Sequence, residues 1–135
     1  LSTTIPADDT IPQIGEGTQI LSVTITPKAS ANRLRVRFHC MYSLGTNTSA
    51  GIAALFQDSG NNALAASASA TAGATSAIDL CLEYEYSPAT TSLVTLTIRV
   101  GASSVNMFVN TGGGSATRLF GGVSHATIIV DEIVG

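Results

Sequence analysis

The segment from Arg33 to Leu44 shows the chain's longest strict two-residue alternation, with Leu34, Val36, Phe38, Cys40 and Tyr42 set against Arg33, Arg35, Arg37, His39 and Met41. Successive side chains of a strand leave opposite faces of a sheet, so the pattern predicts a central β-strand with one apolar face and one row of cations. A second alternation runs from Ile78 to Tyr86: Ile78, Leu80, Leu82, Tyr84 and Tyr86 belong to the core side, and Asp79, Glu83 and Glu85 match the cationic row. Two arrangements satisfy the pairing. In one it is a solvated cross-strand ladder worth about 0.2–1 kcal/mol per pair. In the other a neighbouring subunit covers it, and Arg33, Arg35, Arg37, Asp79, Glu83 and Glu85 become a candidate subunit interface that sets register and partner choice.

Further strands are expected at Thr18 to Thr26, Ile52 to Gln57, Leu93 to Val100, Val105 to Asn110 and Ser124 to Ile133. Between 93 and 100, Thr95, Thr97 and Arg99 form the polar face. The segment Ala63 to Ala77 alternates Ala with Ser or Thr and offers no long side chain for a helical face to bury, which predicts strand and loop. Pro6, Pro12, Gly15 and Gly17 interrupt residues 1–17, leaving an extended arm that needs a surface to lie on. With about eight short strands and no convincing helix, the expected fold is all-β, an antiparallel sandwich of jelly-roll type over residues 18–135, with a closed barrel as the second choice.

Composition narrows the function. The 135 residues suit one domain with a proper core. Charged residues are only 11%, while Ala, Ser, Thr and Gly make nearly half of the chain, a neutral surface suited to side-by-side association. A net charge of −3 with six cationic residues offers no patch able to neutralise a run of phosphates, so nucleic acid is not an expected partner. No apolar run approaches the roughly 20 residues of a membrane span, so membrane insertion is not expected, and no signal-peptide pattern opens the chain. Because the chain starts at Leu1 without Met, it is expected to be cut from a longer polypeptide. Cys40 points inward while Cys81 lies among the acids, which predicts two free thiols and assembly in a reducing cytosol.

The search for chemistry finds little. His39 and His125 lack partners at metal-ligand spacing, so no metal site is expected. A triad drawn from Ser43 or Ser124, His39 or His125, and Asp131 has no nucleophile elbow. Glu83 with Glu85, or Asp131 with Glu132, lacks the Trp platforms that accompany sugar hydrolysis, and Gly112-Gly-Gly-Ser115 lacks the lysine of a phosphate loop. The Asp58 to Asn62 stretch departs from the calcium-loop pattern and reads as a hairpin turn. Asn47-Thr-Ser49 is a formal glycosylation acceptor that matters only on a eukaryotic secretory route. No catalytic residue and no cofactor is expected.

Residues Ile5-Pro-Ala-Asp-Asp-Thr-Ile-Pro-Gln13, Glu16-Gly17, Ile25-Thr-Pro27 and Arg33-Leu-Arg-Val36 resemble a recurrent module of phage and prophage tail proteins. Ala54-Leu-Phe56, Arg99-Val-Gly101, Phe120-Gly-Gly122, Ser124 and Thr127 to Ile133 extend the likeness over nearly the whole chain. The resemblance implies the C-terminal domain of a tail fibre or tailspike: a homotrimer on the virion tail, assembled in the bacterial cytoplasm, following an upstream fibre through the arm at residues 1–17. It implies recognition of a bacterial cell-surface polysaccharide or protein by a threefold-repeated loop rim whose avidity multiplies weak sites. Candidate rim residues are Ser43, Thr46, Asn47, Asn61, Asn62, Thr90, Asn110 and Arg118. The alternatives are a trimerisation and capping domain without receptor contact, and a carbohydrate-binding module.

Overall fold

A computed structural model describes residues 1–46, 49–70 and 76–135. Among these, eight strands run β1 (Thr18–Ile25), β2 (Arg33–Leu44), β3 (Ala50–Gln57), β4 (Ala65–Ala70), β5 (Ile78–Tyr86), β6 (Val94–Ala102), β7 (Met107–Val109) and β8 (Thr127–Ile133). They form two antiparallel four-stranded sheets. One has the order β1-β6-β3-β4; in the other, β2 pairs with β5 on one side and with β7 and β8 on the other. The main core lies between the sheets, where Leu34, Val36, Phe38, Tyr42, Leu80 and Leu82 meet Leu55, Val94, Leu96, Ile98 and Val100. Each such side chain contributes about 1.5–3 kcal/mol relative to exposure.

Strand β2 is central, and its burial alternates residue by residue from Arg33 to Cys40 as its sequence does. Its length explains its three partners. β8 covers the Arg33 to His39 half, β7 covers Tyr42 to Leu44, and residues 110–126 bulge from the sheet edge between them. That bulge contains a three-residue 3-10 turn, Phe120–Gly122, which periodicity did not signal.

Burial along β3 is nearly continuous rather than alternating. Its second face is covered by the N-terminal arm, which crosses the outside of the β1-β6-β3-β4 sheet. There Ile5 packs with Ile52, Ala54, Phe56, Ile14 and Ala63 in a second, smaller core. Backbone bonds fix the arm at intervals: Ile5 N–H donates to the Ala102 carbonyl at 3.2 Å, Gly17 N–H to Thr4 at 2.9 Å, and Ile14 N–H to Asn61 at 2.8 Å. Gly17 adopts φ +62, and a Cβ there would lie 2.8 Å from the Ile5 side chain, so only glycine fits. The polar face of β6 is therefore covered by the arm. Thr97 is buried, and the Arg99 guanidinium donates to the Glu16 and Gly17 carbonyls at 2.7 and 2.8 Å.

The alanine-serine segment is a strand at Ala65–Ala70; residues 71–75 of the expected strand and loop lie outside the described residues. Ser67 and Ser69 turn towards the neighbouring sheet and donate to the Cys81 and Asp79 carbonyls at 2.5 and 3.1 Å. Their hydroxyls join the edges of β4 and β5, where backbone pairing gives way to side-chain bonding. Beginning at Thr127, the last strand starts three residues later than expected, and β7 occupies only the middle of its expected range.

Candidate functional site

The charged face is a three-strand surface. In the antiparallel register Arg35 stands opposite Glu85 and Arg37 opposite Glu83 on β5, while on the other side of β2 Arg35 stands opposite Asp131 of β8. Arg35 donates through Nε and Nη2 to one Glu85 oxygen at 3.0 and 2.8 Å. Arg33 reaches the other Glu85 oxygen at 2.5 Å. Arg37 turns away from Glu83, donating to Asp131 at 2.8 Å, and among the described residues the ion pairing of Glu83 is a 3.9 Å contact with Arg35. Beyond this row, Nε2 of His39 lies 3.0 Å from Asp79.

The cationic row and its acids on β5 thus match the pairing expected from sequence, and Asp131 is a partner that strand alternation did not find. Nothing in the alternation says which third strand flanks β2, because strand order is a property of the whole fold. Arg33, Arg35, Arg37 and Asp131 keep about half of their side-chain surface open to solvent, and Glu85 is the most enclosed member at 22%. Pairs so exposed contribute roughly 0–1 kcal/mol each.

The candidate rim residues do not converge. Ser43 is not a loop residue: it lies within β2, fully buried, with its hydroxyl 3.2 Å from that of Thr111. The strand continues to Leu44, so alternation places Ser43 on the face that the Thr111 segment covers. Thr46 is exposed at the end of the sandwich where β2 stops, and Asn47, with the formal glycosylation acceptor, lies outside the described residues. Asn61 and Asn62 are exposed at the opposite end, in the β3–β4 turn. There Asn61 donates to the Gln13 side chain at 2.7 Å. Thr90, partly exposed in the β5–β6 loop, accepts from Ser92 N–H at 3.0 Å. Asn110 is half-buried with φ 61, and Arg118 is exposed on the 110–126 bulge.

Among the described residues, no three His, Cys, Asp or Glu side chains are grouped to hold a metal, and no helix is long and apolar enough to cross a membrane. Both cysteines are free: Cys81 is exposed, whereas burial, aided by Cys81 and Asp79, pushes the Cys40 thiol up to about 12. Tyr42 is fully buried, and Tyr84 stacks on Tyr86 with ring centroids 5.8 Å apart, both half-buried. No aromatic platform therefore stands clear of the core among the tyrosines. No protein-family model matches the chain, and no curated protein sequence matches it.

Proposed function

We propose that this chain is the distal C-terminal domain of a phage tail fibre or tailspike, a homotrimer on the virion that recognises a bacterial surface polysaccharide or protein by binding rather than turnover. The observation that carries this reading is the charged face. Nearly half of the chain's Lys, Arg, Asp and Glu residues stand on one sheet surface, and the remaining surface is dominated by small neutral side chains. A neighbouring subunit at or near that face makes use of both features. The ordered resemblance to tail modules supplies the biological context, and the chain's repeated crossing between sheets, from β1 to β2 to β3 and again from β4 to β5 to β6, supports a jelly-roll reading of the sandwich.

Receptor contact is assigned to the exposed end loops at Thr46 and at Asn61 and Asn62. The test is adsorption of a phage particle carrying Thr46→Lys or Asn62→Lys. Loss of adsorption with the trimer mass unchanged is the expected result. Adsorption that survives every loop change, with the trimer intact, removes the receptor role and leaves trimerisation and capping. A specific observation favours that second reading: the two loop sets lie at opposite ends of the sandwich, so a single rim includes only part of them.

A further inference from the structure

Two surface features remain outside the charged face. The first is the 110–126 bulge, which holds Phe120 and Val123 at 68% and 76% exposure beside the exposed Arg118. Phe120 does so at φ +51, a left-handed conformation that is unfavourable for a bulky residue. No Asp or Glu occurs from residue 101 to 130.

The second is a groove on the outside of the other sheet, between the arm and β4. Two adjoining hollows of about 360 and 220 Å³ share Asp8, Thr10, Pro12 and Ala66, and Asp9 and Ile11 line the larger one. Ile11 is 55% exposed. No Lys or Arg precedes Lys28. Among the described residues, no ion pair within the chain involves Asp8, Asp9 or Arg118.

We infer that Arg118, Phe120 and Val123 of one chain dock into the Asp8–Asp9–Ile11 groove of a second copy, linking chains head to tail. The inference rests on the homo-oligomer reading above and adds to it a second contact, apart from the charged face. The two surfaces match in both charge and polarity: an acid-free apolar knob with one guanidinium outside any ion pair meets a cation-free apolar groove with two carboxylates, Asp9 and an Asp8 whose Oδ1 accepts from Thr10. They also lie on different sides of the sandwich. The bulge leaves the β7/β8 edge of one sheet, whereas the groove borders β4, the edge of the other sheet remote from β1. One chain therefore cannot fill its own groove, and the contact is heterologous, the kind that closes into a ring when the rotation permits. An anionic lipid surface would also suit a cationic apolar loop, but the whole chain carries −3 and would be repelled from it.

The test measures the dissociation constant of the assembled chain by sedimentation for four variants. Arg118→Glu and Asp9→Arg should each weaken assembly about tenfold or more, and the double swap should restore it. Phe120→Gly relieves the left-handed backbone, so as a purely local change it leaves folding stability equal or higher; docking requires that it also loosens assembly about tenfold or more. A wild-type oligomer unaffected by these changes overturns the knob-and-groove contact and leaves the oligomer standing, whereas a wild-type monomer overturns both. Single swaps that weaken assembly without rescue in the double overturn the charge pairing, and binding of the chain to anionic vesicles through Phe120 with assembly unchanged overturns the choice of partner.

Discussion

The Tyr42 ring lies against Gly51 so closely that a Cβ on Gly51 would fall 2.4 Å from the ring's Cζ. The hydroxyl donates to the Ser69 carbonyl at 2.6 Å and accepts Gly51 N–H at 3.2 Å. One phenol thus links β2 in one sheet to β3 and β4 in the other. Gly51→Ala should destabilise the chain by about 1–3 kcal/mol through forced displacement of the ring. Tyr42→Phe should cost about 1–3 kcal/mol by leaving buried polar groups short of a partner. Urea unfolding checks both: the midpoint falls while the slope stays constant.

The Arg37–Asp131 pair at 2.8 Å is open to water on both sides. A double-mutant cycle of Arg37→Ala and Asp131→Ala should give a coupling of about 0.2–1 kcal/mol in the dissociated chain, falling as salt is raised to about 1 M. The check is urea unfolding of the four proteins at dilute concentration. A coupling of several kcal/mol that persists in high salt would mean that water is excluded from the pair.

This pair also marks how far the sequence can be read. The bounds of β2 were legible because alternation holds from Arg33 onwards, and the β5 acids were legible because they share its period. Asp131 was not, since its strand reaches β2 only through the chain-wide order of strands. Thr95, Thr97 and Arg99 form a polar face in the pattern, but the pattern does not reveal that the arm covers it. Ser43 is polar and precedes a loop, which favours the rim, but alternation keeps it in β2, where it is buried.

The two thiols should separate cleanly. Cys40 is buried with its thiol raised to about 12, whereas Cys81 is exposed. Iodoacetamide at pH 8 should label one cysteine in the folded chain, mapped to Cys81 by mass spectrometry, and both after unfolding. Equally rapid labelling of Cys40 would contradict the packing between the sheets.

Glu132 connects the last strand to the β1–β2 turn. Its Oε1 accepts from Asn32 Nδ2 at 2.7 Å and from Lys28 N–H at 2.6 Å. These bonds, the Asn32 side chain foremost, hold its carboxyl below the ordinary value of 4.5. Because the folded pKa is depressed, this group contributes stability above 4.5 that is lost as pH falls through the lower folded value. Glu132→Gln should flatten the acidic limb of the stability profile in that window. Urea midpoints taken from neutral pH down to the acid limb read the difference.

The central claim is that this sandwich works as a trimer. Light scattering of the isolated chain, at low and high salt over a range of concentrations, tests it most directly. The account predicts a species of three times 13.7 kDa, loosened by salt because charged groups lie at or near the contact. A mass of 13.7 kDa at every concentration would contradict it and leave the rows from Arg33 to Arg37 and Asp79 to Glu85 as a solvated ladder.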